Sequence, residues 1–335
     1  MPFSPSGGED RTRFCGKINE GHLVRTGHIA GLEVSVIGLG CNNLGRSLDQ
    51  AQSTRVVAAA LEAGITFFDT ARTYGGGRSE AFLAAGLGGH RDEVVIATKF
   101  GPVPRLPGSG SGRPEQVRAA LERSLAELRT EWVDLYQMHS PDLETPIDDT
   151  LAVLTELVDE GKVRSIGCCN FDRAGLSDAH RTAMAGSRVG FVSNQVEYSL
   201  LHRQPESDGL IAAWGSLGMC LLPYYPLGNG LLTGMTRRGD KPSGRLATDR
   251  YQHFLTDANF DLIERLAVFA GSRGVTMTQV ALGWLLAQEA VPAVTPGSST
   301  PEQVRENARG AEWRASAEDL KALESVLDGD QLTLS

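Results

Sequence analysis

Hydrophobic and polar positions change period repeatedly along this chain. Over residues 23–40, LVRTGHIAGLEVSVIGLG, they alternate around Gly27 to Gly31, which predicts a short hairpin leading into a first buried strand. Stretches with apolar residues every three or four positions follow at 51–64, 79–87, 114–129 and 147–161, two of them ending in Gly, and predict amphipathic helices. Short apolar runs lie between and after them: TFFD (66–69), EVVIATK (93–99), VDLYQMH (133–139) and VRSIGCC (163–169). The alternation continues with helix over 171–184, strand over 189–198, helix over 206–218, strand over 219–227, two helices over 257–287, the strand AVPAVTPG (290–297) and helix over 301–310.

That makes about eight strand–helix units. Strands that are apolar without alternation are buried on both faces, the mark of a parallel sheet covered by helices. Eight such units fit an α/β fold of the closed (β/α)8 barrel type, with the N-terminal β-hairpin ahead of it and an extra C-terminal helix over 316–327 packed outside. Two stretches break the repeat and predict long loops at strand ends, around 102–115 and 228–254. In a barrel such ends share one face, where loops build ligand sites.

Length alone would suggest about two domains, but closed barrels of this size are single units and no Pro/Gly/Ser-rich linker interrupts the pattern. The expected organisation is a flexible tail over residues 1–20 and one barrel domain over 21–335. The formal net charge is −9, which argues against a nucleic-acid partner. No apolar stretch approaches the roughly 18 residues of a membrane span, and the N-terminus has no apolar core of the signal-peptide kind. Five cysteines without a metal-spaced pair fit a reduced, cytoplasmic setting and no metal site. A metal-dependent barrel hydrolase would want clustered ligands such as HxH after the first strand, where this chain reads GLGCNN.

Three consecutive strands end in an ionisable group: Asp69 closes TFFD, Lys99 closes VVIATK and His139 closes DLYQMH, while Tyr74 follows in the Gly-rich loop RTYGGG. Each residue alone is more often a cap, a solvated strand end or a loop anchor. In a barrel all four meet at one mouth. A phenol titrating near 10 is a poor donor at neutral pH, and a neighbouring ammonium is expected to pull it down. Lys99 suits that role, Asp69 supplies its counter-charge, and His139 can hydrogen-bond a substrate oxygen and orient it toward Tyr74. Together the four can protonate an oxygen as negative charge develops on it.

The motifs DTARTYGGGRSE, VVIATKFG, DLYQMHSPD, VRSIGCCNF, NQVEYSLL, LPYYPLGNGLLTG and TPGSSTPEQVREN, in order over residues 24–327, resemble the aldo-keto reductase superfamily. The resemblance implies a (β/α)8 barrel that transfers hydride between NAD(P)H and aldehydes or ketones, with Tyr74, Lys99, Asp69 and His139 as the catalytic tetrad. It implies NADP(H) over NAD(H), and a small carbonyl substrate, with sugar-derived compounds among the candidates. By position it places the nicotinamide carboxamide near Asn170, Cys169 and Gln195 and the ring on Tyr224. The phosphates and adenosine would run along Leu227, Gly228, Leu231, Gly234, Gly297, Ser299, Gln303, Glu306 and Asn307, with Arg245 reaching the ribose 2′-phosphate. Cys169 stands where relatives commonly have Ser, a better hydrogen-bonding group. The superfamily also includes cofactor-binding regulatory subunits with little turnover, and the intact tetrad is compatible with that alternative.

Overall fold

The computed structural model describes residues 24–102 and 110–329. The tail expected over 1–20 and the middle of the 102–115 loop lie outside them. Seven strands, β3 (Leu39–Gly40), β4 (Phe67–Asp69), β5 (Val95–Phe100), β6 (Val133–Met138), β7 (Val163–Cys169), β8 (Ser193–Glu197) and β9 (Cys220–Tyr224), form one parallel sheet in sequence order. Helices follow the strands, as right-handed crossovers between parallel neighbours require. Among the described residues no helix is long and apolar enough to cross a membrane.

The sheet closes through residues 290–297, but not as the regular strand the pattern predicts. Leu221 N donates to Ala290 O on one side (2.7 Å), while on the other Val294 N donates to Val36 O (2.9 Å) and Val294 O accepts from Gly38 N (2.8 Å). What remains of the ladder is two single bridges, Ile37 to Val294 and Gly40 to Gly297. Pro296 falls in the same alternating register as Val294, and a proline has no N–H to give there. The result is a (β/α)8 barrel whose eighth stave is irregular backbone.

Two other differences from the sequence pattern have local causes. The helix expected over 206–218 is two pieces, α6 (Gln204–Ser207) and α7 (Leu210–Leu217), broken where Gly209 takes φ 68°. The loop expected over 228–254 is partly ordered as three short 3-10 turns, Gly228–Thr233, Gly244–Ala247 and Asp249–Phe254.

The hairpin forms as predicted, from β1 (Thr26–Ile29) and β2 (Leu32–Ser35), antiparallel. Its inner residues Ile29 and Val34 pack against Phe67, Ala97, Leu135, Leu222 and Ala293, all buried. These strand residues stand two positions, or four, before Asp69, Lys99, His139 and Tyr224, and therefore point inward on the same pleat. The barrel interior is thus apolar at the N-terminal ends of the strands, where the hairpin plugs it, and polar at the C-terminal ends. A larger cluster fills the space between the strands' outer faces and the helices, with Ile96, Tyr136 and Ile166 against Leu83, Leu121 and Leu154.

Because Ile29 is fully buried at the plug, Ile29→Ala is expected to lower unfolding free energy in urea by about 2–4 kcal/mol. The folded state's far-UV circular dichroism is expected to stay unchanged, since the loss is one of packing at the plug alone.

Candidate active site

Lys99, on β5, is 1% exposed, and its position is over-determined. Its Nζ donates to Asp69 Oδ1 (2.7 Å), to the carbonyl of Thr70 (2.8 Å) and to Tyr74 Oη (3.4 Å). Asp69 ends β4, also buried, and Gln137 Nε2 on β6 donates to it at 3.5 Å. Tyr74 opens a short 3-10 turn, Tyr74–Gly76, that leads into helix α2 (Ser79–Leu87). The turn needs glycine: Gly75 takes φ 60°, and a Cβ there would lie 2.2 Å from Leu44 O. His139 follows β6 directly, its own N–H bonded to Phe100 O (2.9 Å), and its ring meets Tyr74 edge-on at 5.8 Å. The four residues predicted from strand ends are therefore in one cluster.

Electrostatics at this cluster differ from the sequence expectation in one respect. Burial pushes the Tyr74 phenol above its usual value. Lys99 opposes that shift by charge and hydrogen bond, while Asp69 adds to it, and the net direction is upward. Tyr74 accordingly keeps its proton at neutral pH. Depth of burial, which no strand-end motif reports, outweighs the ammonium. For Lys99 burial favours the neutral amine, but the carboxylate of Asp69 leads a set of groups that overcome it, and the ammonium is held more firmly than usual. Burial and then the Lys99 charge lower His139 to about 3, so its imidazole is neutral.

Beside the tetrad, Asn170 takes the left-handed conformation (φ 61°), donates Nδ2 to His139 O (3.1 Å) and accepts from Tyr224 Oη (3.1 Å). Cys169 Sγ faces Gln195 Oε1 at 3.9 Å, its thiol pushed up to about 12 by burial. The Nε2 of Gln195 and Nδ1 of His139 are buried without a protein partner. Such groups are costly unless a bound molecule satisfies them.

The loop after β9 runs Leu227, Gly228, Asn229, Gly230, Leu231. Leu227 and Leu231 have buried side chains and offer a ligand only backbone, while Gly228, Asn229, Gly230 and Gly234 have positive φ. Arg245 Nη2 donates to Asn43 Oδ1 (2.8 Å) and Asn42 Oδ1 (3.2 Å). Asn43 Nδ2 in turn donates to Ser298 O and Ser299 Oγ (both 3.1 Å), and Asn307 Nδ2 to Ser298 Oγ (3.0 Å). One polar chain thus joins Arg245, the segment after β3, the eighth stave beyond Gly297, and helix α10 (Pro301–Arg309). Gln303 folds back to accept from Ser299 N (2.7 Å), and Glu306 accepts from Thr276 Oγ1 (2.9 Å), each engaged with the protein itself.

Sequence reasoning missed Asn42, Asn43 and Asn229. The first two stand in GLGCNN, considered above only for the metal ligands it lacks, although two adjacent amides directly after a buried strand were the available cue. Both side-chain polar atoms of Asn229 are buried without a protein partner, and nothing local in the sequence announces it. Among the described residues no three His, Cys, Asp or Glu side chains gather as a metal site requires.

Comparison with known proteins agrees with this architecture. The family model described as "Aldo/keto reductase family" matches residues 36–328. The chain is similar to "Probable aldo-keto reductase 1" of Glycine max, 34% identical over 310 residues covering 90% of this chain and 88% of the relative. It is also similar to "L-glyceraldehyde 3-phosphate reductase" of Escherichia coli O157:H7, 29% identical over 343 residues covering 98% and 95%.

A neutral buried His139 has a stability signature. The folded state keeps it unprotonated down to about 3, whereas the unfolded chain takes up the proton near 6.5, so stability is complete above the unfolded value and falls as pH drops below it. Between pH 7 and 5, wild type is expected to lose about 2 kcal/mol more unfolding free energy than His139→Gln, at roughly 1.4 kcal/mol per unit. Denaturant titrations at the two pH values measure it.

Proposed function

This chain belongs to the aldo/keto reductase family of oxidoreductases, and from that premise we propose that it reduces an aldehyde or ketone to an alcohol with NADPH, Tyr74 serving as general acid. The observation that carries the proposal is Lys99 Nζ held between Asp69 Oδ1 and Tyr74 Oη in a buried site. A phenol there holds its proton at neutral pH, and a fixed cation beside it favours phenolate once the proton leaves.

The residues present fit a nicotinamide dinucleotide. Gln195 Nε2 is an unpartnered buried donor, and with Asn170 it would hold the carboxamide. The half-buried Tyr224 would offer a ring face to the nicotinamide, Asn229 and the backbone of Gly228 to Gly234 would line the phosphates, and Ser299 with Gln303, Glu306 and Asn307 would meet the adenosine end. Among the described residues Arg245 has no carboxylate partner, which suits it to a phosphate and supports NADPH over NADH. Bound there, the cofactor supplies hydride to the carbonyl carbon.

The protein's own part is to hold and move a proton. His139, neutral, places an N–H at the substrate oxygen without adding a charge that would compete with Lys99. Tyr74 Oη gives its proton to that oxygen as negative charge builds on it. Lys99, fixed by Asp69 and Thr70 O, stabilises the phenolate left behind. The substrate class proposed is a small, sugar-derived carbonyl compound, in keeping with the phosphorylated aldehyde in the name of the Escherichia coli relative.

Tyr74→Phe removes the donated proton and leaves the ring, so kcat is expected to fall by at least about 100-fold with NADPH affinity intact. A screen of small aldehydes, ketones and sugar-derived carbonyls, following NADPH consumption, measures it; undiminished turnover would overturn the role of Tyr74. Titrating both cofactors by protein fluorescence, Arg245→Ala is expected to weaken NADPH by about tenfold or more and NADH little. Equal affinity of the wild type for the two removes the preference.

A further inference from the structure

Helix α2 begins with two polar residues, Ser79 and Glu80, that are 0% and 1% exposed and take no part in the chemistry above. Ser79 Oγ donates to Cys41 O (2.9 Å) and lies 2.9 Å from Thr70 Oγ1; the carbonyl of that same Thr70 accepts from Lys99 Nζ. Glu80 Oε1 accepts from Thr98 Oγ1 at 2.6 Å, and Thr98 is the residue before Lys99. Both threads leave one helical turn and end on the backbone that frames Lys99.

The same turn also holds Tyr74. Only Gly75, Gly76, Gly77 and Arg78 separate Tyr74 from Ser79, and Arg78 Nε donates to Gly75 O (2.9 Å) while its Nη2 donates to Gly45 O. Tyr74 is thereby tied to α2, and α2 to β5. Glu80 makes the second tie with a side chain that burial should penalise heavily if charged. The groups facing it are Thr98 of β5, Ser124 and Glu127 of helix α3 (Pro114–Leu128), Arg72 of the loop after β4 and Tyr136 of β6. Its Oε2 has no protein partner, and burial raises the carboxyl above its usual value against the pull of Thr98, Ser124 and Arg72. A neutral acid suffices for what Oε1 does, which is to accept a hydrogen bond.

We infer that Glu80 is a positioning residue for the Tyr74–Lys99 pair: by accepting the Thr98 hydroxyl it holds the helix that anchors the tyrosine's loop against the strand that carries the lysine, and so sets their spacing. The inference rests on Tyr74 as the proton donor. Glu80 touches neither substrate nor cofactor; it acts through the two elements it joins.

The test compares Thr98→Val, which removes the donor at nearly constant shape, with Glu80→Gln, which keeps an acceptor oxygen and cannot ionise. In Thr98→Val the phenol drifts from the ammonium, so the basic limb of the kcat–pH profile is expected to move up by about half a unit or more, and kcat to fall about three- to tenfold. Cofactor Kd is expected to stay constant. Glu80→Gln is expected to keep both the limb and kcat. A wild-type limb and kcat in Thr98→Val, or Glu80→Gln as impaired as Thr98→Val, overturns the inference. Should Thr98→Val not fold, Thr98→Ala against Thr98→Ser makes the same comparison.

Tyr74→Phe run alongside separates the two levels. If it is inactive while Thr98→Val is normal, Tyr74 stands as the acid and the positioning role of Glu80 falls. If Tyr74→Phe retains turnover, the proton-donor role falls, and the crystallographic Tyr74 Oη to Lys99 Nζ distance in Thr98→Val, expected to open beyond the present 3.4 Å, decides the spacing alone.

Discussion

A full positive charge on Lys99, with 1% of the residue exposed, is the constraint around which the barrel mouth is arranged. Removing an ammonium from water costs several kcal/mol, which only close, well-oriented partners can offset. Asp69 Oδ1 and Thr70 O supply them at 2.7 and 2.8 Å. Those two groups sit at the end of the neighbouring strand, so satisfying the lysine fixes β4 against β5 at the level where Tyr74 enters. The phenol's surroundings follow from that pairing rather than from Tyr74 itself, which contributes one contact at 3.4 Å to the cluster.

Everything below that level is built to keep water out, and much at its rim is held in uncommon backbone geometry. Ile29 and Val34 of the hairpin seal the interior against Phe67, Ala97 and Leu135, so the charges above have a dry floor that strengthens their mutual attraction. Around the opening Asn170, Tyr225 and Asn229 take φ of 61°, 54° and 56°, values that side chains other than glycine rarely adopt. Such residues persist where surrounding contacts over-determine them, and they gather at functional sites. Here Asn170 bonds both His139 O and Tyr224 Oη, Tyr225 stands edge-on to Tyr224 with its hydroxyl against Tyr251 Oη, and Asn229 keeps both polar atoms of its side chain without a protein partner.

The legible part of the molecule was written in period and punctuation. Runs such as VVIATK and DLYQMH, apolar up to a final ionisable residue, announced both the strands and the mouth, because a parallel barrel turns sequence ends into a single face. The hairpin and the long helices were equally open to view. What stayed hidden depends on depth or on single backbone atoms. The rise of Tyr74 comes from burial, which composition near position 74 does not encode. The break at Gly209 and the weakened stave at Pro296 are each one residue acting on a hydrogen-bond ladder that pattern alone treats as continuous. Asn43 gains its place from partners at Ser298, Ser299 and Arg245, some 200 to 260 positions away.

The irregular eighth stave has a dynamic consequence. With bridges at Ile37–Val294 and Gly40–Gly297 in place of a continuous ladder, the seam between the first and last staves is a line along which this cylinder opens more cheaply than between neighbours joined by long ladders such as β5, β6 and β7. The residues released by such an opening are Gly297 to Ser299 and the amide of Asn43, which belong to the groove proposed above for the dinucleotide's far end. A guest that bridges the seam would therefore slow amide exchange on both of its banks at once, and closure of the cylinder and retention of its guest become one equilibrium.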